Sequence, residues 1–98
     1  MSDTRIYALN LGVPLKLKWA VFHLRNCDWE CRTDTFSDKR DIVDDIKVIE
    51  STLSDHFPLL YHWRNGGYTP SYIFCKEEEM IFKLQFCGEE VDWEYLSE

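Results

Sequence analysis

Residues 34–57, DTFSDKRDIVDDIKVIESTLSDHF, decide the fold. The apolar residues of this stretch recur at steps of four, three, four and four, and they are Ile42, Ile46, Ile49, Leu53 and Phe57. That spacing places all five on one face of a helix. Ser37 or Asp38 can cap its N-terminus, and Pro58 favours its end. The stretch therefore predicts one main helix that is buried along a single apolar stripe.

Strand patterns precede this helix. Residues 4–11 (TRIYALNL) predict a first strand, and Gly-Val-Pro after them predicts a turn. Residues 15–26 (LKLKWAVFHLRN) predict a long second strand, which changes its apolar side near Trp19–Phe22. Such a change is typical of a bulge or of a strand buried on both faces.

Further strand patterns follow the helix. Residues 59–64 (LLYHWR) and 68–75 (YTPSYIFC) flank Asn-Gly-Gly, which favours a hairpin, and Pro70 favours an edge or bulge position for the second strand. Residues 76–79 (KEEE) predict a turn. Residues 80–87 (MIFKLQFC) predict a strand with alternate residues on one face, namely Met80, Phe82, Leu84 and Phe86.

The chain ends in GEEVDWEYLSE, where acidic and apolar residues alternate. We expect Val91, Trp93 and Tyr95 to close the sheet against the helix, with Asp92 and Glu94 on the other face. The element order is two strands, a helix and a β-meander. It predicts a single α+β domain over residues 1–98, with an antiparallel sheet of about five to six strands and the helix packed across it.

Composition and charge restrict the function. Fifteen aromatic residues (four Trp, five Tyr and six Phe) are enough for a core, with some left for an interface. The net charge is −7, and it is uneven: residues 1–26 carry +3 and residues 27–98 carry −10. An acidic body repels phosphates, so direct nucleic-acid binding is disfavoured. The first ten residues lack the apolar core of a signal peptide, which predicts a cytoplasmic protein without membrane attachment and with reduced thiols.

Candidates for chemistry are weak. His23, Cys27 and Cys31 are spaced by four and would share one side of an extended strand, which raises a zinc site as an alternative. The second close pair of ligands that a structural zinc site prefers is missing, so buried thiols are the favoured interpretation. The sequence has neither a nucleophile motif nor a phosphate-binding loop, so we expect no enzyme and no cofactor.

Acidic residues form three groups, on the helix, in the KEEE turn and in the C-terminal tail. Each group alone is typical of a solvated surface, but together with exposed rings they favour a surface for a basic partner. The residues expected to contact this partner are Asp38, Asp41, Asp44, Asp45, Glu77, Glu78, Glu79, Glu89, Glu90, Asp92, Glu94, Trp29, Trp63 and Tyr68. Reversal of Asp41, Asp44 and Asp45 to Lys is expected to abolish binding and to leave the fold intact.

In size, charge and ring content the chain resembles small acidic inhibitor proteins: phage anti-CRISPR and anti-restriction proteins, and immunity proteins of nuclease toxins. This resemblance implies a stoichiometric inhibitor of a basic nucleic-acid-handling protein, such as a nuclease, a restriction or CRISPR effector component, or a toxin. An inhibitor of this kind can act as a nucleic-acid mimic. The alternative is a non-catalytic assembly or adaptor domain, which binds another chain or a copy of itself through exposed aromatic residues or an edge strand.

Overall fold

The fold consists of one sheet and two helices. The structure, a computed structural model, describes residues 4–26, 28–33, 39–64 and 70–92, without the side chains of residues 63 and 64. The elements are β1 (Arg5–Leu9), β2 (Ala20–Arg25), β3 (Asp28–Thr33), α1 (Lys39–His56), β4 (Tyr61–Arg64), β5 (Pro70–Ile73), α2 (Lys76–Gln85) and β6 (Cys87–Glu90). The six strands form an antiparallel sheet in the order β4-β5-β3-β2-β1-β6. The predicted α+β class, with about five to six strands and one main helix, is confirmed.

The main helix is buried as its apolar spacing predicts. Every member of the stripe is at most 5% exposed, and the members are Ile42, Ile46, Ile49, Leu53 and Phe57. They join one hydrophobic cluster with Phe22 of β2 and Trp29 of β3. Phe82 of α2 lies in the same cluster, with its ring centroid 4.7 Å from that of Phe22 and 4.9 Å from that of Trp29. Both helices therefore cover the same face of the sheet.

The predicted long second strand is wrong in its extent. β2 begins only at Ala20, and a reversal after Arg25 leads into β3, whose residue Asp28 pairs with Arg25. Asn26 lies at this turn with φ of 52°, a left-handed conformation that Asn tolerates better than most residues. Because the chain reverses here, residues 23–31 do not form one extended strand.

The predicted KEEE turn and the strand after it are also wrong, because residues 76–85 form α2. Three glutamates at its positive N-terminus and Lys83 in its last turn complement the helix dipole. Phe82 and Phe86 satisfy a period of two and a helical period alike, so their burial does not distinguish strand from helix. Met80 and Leu84, 66% and 80% exposed, would be buried only in the strand.

The predicted meander is interrupted. β4 and β5 form the expected hairpin, but α2 then carries the chain across the sheet to β6 at the opposite edge, beside β1. The edge position predicted for the Pro70 strand is wrong, since β5 lies between β4 and β3; Pro70 is the first residue of β5, where proline is tolerated. In β6, a Cβ on Gly88 would lie 3.1 Å from the Ala8 oxygen, so this close approach favours glycine. The expected closing residues Trp93 and Tyr95 lie outside the described residues.

Candidate protein-binding surface

The acidic residues of α1 serve the fold more than the sequence suggests. Asp45 is 2% exposed, and its two carboxylate oxygens accept hydrogen bonds from the backbone N–H groups of Lys16 (3.0 Å) and Leu17 (2.8 Å). It therefore fixes the segment before β2 against α1. The prediction that Asp45 contacts a partner is wrong. Reversal of Asp45 to Lys would remove both hydrogen bonds, so the expectation of an intact fold fails at this residue.

Asp44 is exposed but paired. Its Oδ2 lies 2.9 Å from Nζ of Lys16. The hydrogen bond from Lys16, and then its charge, lower the pKa of Asp44; the same contact raises the pKa of Lys16. Asp41 is half-buried in the first turn. The exposed negative charge of α1 is therefore partly compensated within the molecule.

Glu79 on α2 faces inward, towards Trp29. Glu79 Oε2 accepts a hydrogen bond of 3.0 Å from Trp29 Nε1, and Lys83 Nζ lies 3.8 Å from Glu79 Oε1 and 5.9 Å from the centroid of the Trp29 ring. Trp29 is 0% exposed, because its cross-strand neighbour Leu24 and the ring itself lie on the face that the helices cover. The prediction that Trp29 is an exposed anchor for a partner is wrong.

The other two glutamates of α2 are nearer the surface. Glu77 is exposed and Glu78 is half-buried. Glu78 Oε2 lies 3.4 Å from the backbone N–H of Leu59, while Oε1 is buried and has no hydrogen-bond donor among the residues that the structure describes. A buried carboxylate oxygen without a donor is costly, so this group favours an additional cationic or N–H donor.

β6 adds a second row of acids at the edge of the sheet. Glu89 and Glu90 are exposed, as is Asp92 just after the strand. Glu90 is in register with Tyr7, whose ring centroid lies 5.6 Å from that of Trp29. Since Trp29 also contacts α2 through Glu79, Glu90 and the first turn of α2 border the same part of the helix-covered face, whereas Glu89 lies opposite Ala8 on the other face.

The sequence interpretation missed an exposed apolar face on α2. The exposed fractions are 66% for Met80, 45% for Ile81 and 80% for Leu84, and Leu59 beside the helix is 70% exposed. A helical period would have found this face, because positions 77, 80, 81 and 84 lie on one side of a helix. We call this apolar face, with the acids near it, the α2–β6 surface; its members are Leu59, Glu77, Glu78, Met80, Ile81, Leu84, Glu90 and Asp92.

Four of the expected partner contacts lack a described side chain. Asp38, Tyr68 and Glu94 lie outside the described residues. Trp63 lies in β4, but its side chain is not among those described. Their predicted roles stay predictions.

The hairpin separates the residues of the alternative zinc site. His23 is in register with Glu30, whereas Cys31 is in register with Phe22, so His23 and Cys31 lie on opposite faces of the sheet. Burial lowers the pKa of His23, whose Nδ1 lies 3.9 Å from Glu30 Oε2, and burial raises the pKa of the Cys31 thiol to about 12. Cys27 lies outside the described residues, and no group of three or more His, Cys, Asp or Glu residues in the described ranges is arranged for a metal ion.

A cavity of about 320 Å³ lies beside the segment that Asp45 anchors. It is lined by Ala8, Leu9, Val13, Leu15, Leu17, Lys18, Trp19, Ala20, Val21 and Val91. Among the described residues that line it, Lys18 is the only one with an ionisable side chain.

No family model, curated protein or solved structure matches the chain. Across the described residues, no helix is both long enough and apolar enough to cross a membrane. Function therefore has to be inferred from the α2–β6 surface itself.

Proposed function

We propose that the protein is a non-catalytic inhibitor that binds stoichiometrically to a basic nucleic-acid-handling protein and blocks it. The class of target follows from charge: its nucleic-acid groove is rich in Lys and Arg, and carboxylates can occupy the positions of phosphates there. Anti-CRISPR or anti-restriction proteins and immunity proteins of nuclease toxins have this type of target.

The observation that carries the proposal is the α2–β6 surface. Its exposed acids Glu77, Glu90 and Asp92 form no ion pair with described residues, in contrast to Asp44 on α1. The same surface exposes large apolar side chains, which can supply anchoring energy that carboxylates alone do not. Carboxylates that are not compensated steer a basic partner into contact and speed association.

The proposal is tested by affinity capture from bacterial lysate at low and high salt, with mass spectrometry of the retained proteins. We expect a basic nuclease or another nucleic-acid enzyme to be retained at low salt and released at high salt, because salt screens exposed charges over about 8–10 Å. The purified partner should then lose its nucleic-acid activity when one equivalent of this protein is added.

Two charge-reversal variants locate the surface. The first changes Glu77, Glu90 and Asp92 to Lys. The matched control changes Asp41, Asp44 and Asp55 to Lys and raises the net charge of −7 by the same amount. We expect the first variant to lose inhibition and the control to keep most of it. Equal loss in both would show that net charge alone decides binding, and unchanged inhibition in the first would rule out the α2–β6 acids.

A second candidate function is the assembly or adaptor domain, and an exposed edge favours it. β4 is an edge strand of the described sheet, and its Tyr61 pairs with Ile73 of β5. These side chains are 65% and 42% exposed. Another chain could add a strand here, and its binding would be insensitive to salt. Binding that survives high salt and is lost when Tyr61 is changed to Lys would favour this function.

A further inference from the structure

The outward side of α2 is unusually apolar for a surface helix. Met80 and Leu84 are one helical turn apart, and Ile81 lies beside them on the side towards Glu78 and Leu59. Leu84 and Leu59 are the two most exposed of the large hydrophobic residues described. Together the four side chains form a contiguous ridge rather than scattered surface residues, and such ridges mark interaction sites.

This ridge is held on a rigid support. The opposite side of α2 is anchored by Phe82, which is 0% exposed and stacks on Phe74 at 4.3 Å between ring centroids. Phe57 contacts both Phe82 (6.1 Å) and Phe86 (5.5 Å), which fixes the turn that carries Leu59 next to α2. A partner therefore meets a preorganised apolar surface and bears little cost for ordering it.

Charge indicates which partner fits. Glu77 and Glu78 lie at the N-terminal end of the ridge, whereas Lys76 and Lys83 lie along its flank towards Trp29, where Lys83 is paired with Glu79. A second copy of this chain would bring another −7 and face acids with acids, which opposes pairing.

We infer that the ridge formed by Leu59, Met80, Ile81 and Leu84 is the docking site for an amphipathic helix of the partner, with an apolar stripe and with Lys or Arg at the end that meets Glu77 and Glu78. The inference rests on the proposed function for the basic character of the partner. The partner's stripe would pack along α2, and its cations would meet Glu77 and Glu78. Apolar contact supplies affinity, and the acids select the basic helix over others.

The test uses a defined probe: a synthetic helical peptide of about 18 residues, with leucines on one face and lysines beside them at one end. Its affinity for the full chain is measured by fluorescence anisotropy at roughly physiological salt. Met80→Gln combined with Leu84→Gln keeps helix-forming residues and removes the apolar ridge. We expect this double variant to weaken binding at least about tenfold.

Control variants separate binding at the ridge from non-specific hydrophobic binding elsewhere on the protein. Val48→Gln changes an exposed apolar residue of α1, 38% exposed, and should leave the affinity unchanged. Glu78→Gln keeps an oxygen for the Leu59 N–H but removes the charge, and it should weaken the lysine peptide while leaving a variant peptide without the lysines unaffected. Thermal melting of each variant verifies that the fold is kept.

Three results would overturn the inference: no measurable binding of the peptide, equal loss in the double variant and in Val48→Gln, or a dimer of the free chain that the double variant dissociates. The last result would assign the ridge to a second copy. Failure of the proposed function is distinguishable, because peptide binding at the ridge would then persist while no basic nucleic-acid enzyme is captured and inhibited.

Discussion

The two helices have similar sequences in outline, each with acids and a row of apolar residues, but they use them in opposite ways. α1 buries its apolar stripe entirely and turns Asp45 inward to hold the segment before β2. α2 buries Phe82 but leaves Met80 and Leu84 in solvent, with Glu77 exposed in its first turn. The first helix builds the core, and the second also offers a surface.

The difference shows that the tertiary contacts of a carboxylate decide whether it is buried or exposed. Its place in a run of acidic residues does not. Asp44 and Asp45 are adjacent in sequence, yet one is exposed and the other is 2% exposed. Glu77 and Glu79 differ in the same way, because only Glu79 faces Trp29. Four comparisons of matched variants test this contrast, from the largest expected effect to the smallest.

The largest effect is expected at the inner side of α2. Phe82→Ala removes a fully buried ring that contacts Phe22, Trp29 and Phe74, and we expect it to lower the free energy of unfolding by about 3–5 kcal/mol. Leu84→Ala, at a position 80% exposed, should lower it by less than about 0.5 kcal/mol. Urea unfolding measures both. Similar losses in the two variants would contradict the outward placement of Leu84.

The next effect concerns the acids of α1. Asp45→Ala leaves the N–H groups of Lys16 and Leu17 without their acceptor, and we expect a loss of about 3 kcal/mol in unfolding free energy. Asp44→Ala breaks only an exposed pair with Lys16, so the midpoint of unfolding should hardly move, and less still at roughly 1 M salt. A small loss for Asp45→Ala would show that the segment before β2 is held by other contacts.

A smaller effect separates two glutamates of α2. Glu79→Ala removes the acceptor of the Trp29 Nε1 hydrogen bond, which should cost about 1 kcal/mol in unfolding free energy and shift the tryptophan fluorescence. Glu77→Ala changes an exposed residue and should leave both measurements as in the wild type, but weaken binding to a basic partner. If Glu77→Ala also altered the tryptophan signal, the division between inner and outer acids would fail.

The smallest effect is a pH dependence of the free energy of unfolding. It arises from His23, on the face of the sheet opposite to the one that the helices cover. Burial lowers the pKa of His23 below its ordinary value of 6.5, so the unfolded chain takes up a proton first as the pH falls. The stability that the neutral ring contributes is present above about pH 6.5 and is lost as the pH falls below it. We expect unfolding between about pH 7.5 and 5.5 to become less pH-dependent in His23→Gln. The wild-type chain, measured over the same pH range, is the reference for this comparison.

The parts of the fold that the sequence predicts are those whose apolar residues fit either the helical period of 3.6 or the strand period of two, but not both. The stripe of α1 fits only a helix, and its five members are buried as expected. The stretch 80–87 fits both periods through Phe82 and Phe86, and the choice of a strand there hid the exposed ridge of α2. The hairpin after Arg25 was missed because its short turn contains neither Gly nor Pro, and Asn26 alone signals it.

The candidate surface was predictable only in its charge. The acids of residues 77–79 and 89–92 were named from sequence, but which of them face outward depends on neighbours distant in the chain, such as Trp29 for Glu79. Trp29 and Asp45 were expected at the surface, and both are buried because β3 and the segment before β2 pack against the helices.

The sequence by itself determined the acidic character of the chain, the main helix with its buried face, and the antiparallel α+β class. Local spacing suffices for these, since it fixes which residues of an element can share a face. Only the tertiary structure decided which carboxylates hold the fold and which stay exposed, and it alone left the apolar ridge of α2 in solvent. The physical reason is that burial and hydrogen bonding are set by contacts between distant segments, and local periodicity does not encode them.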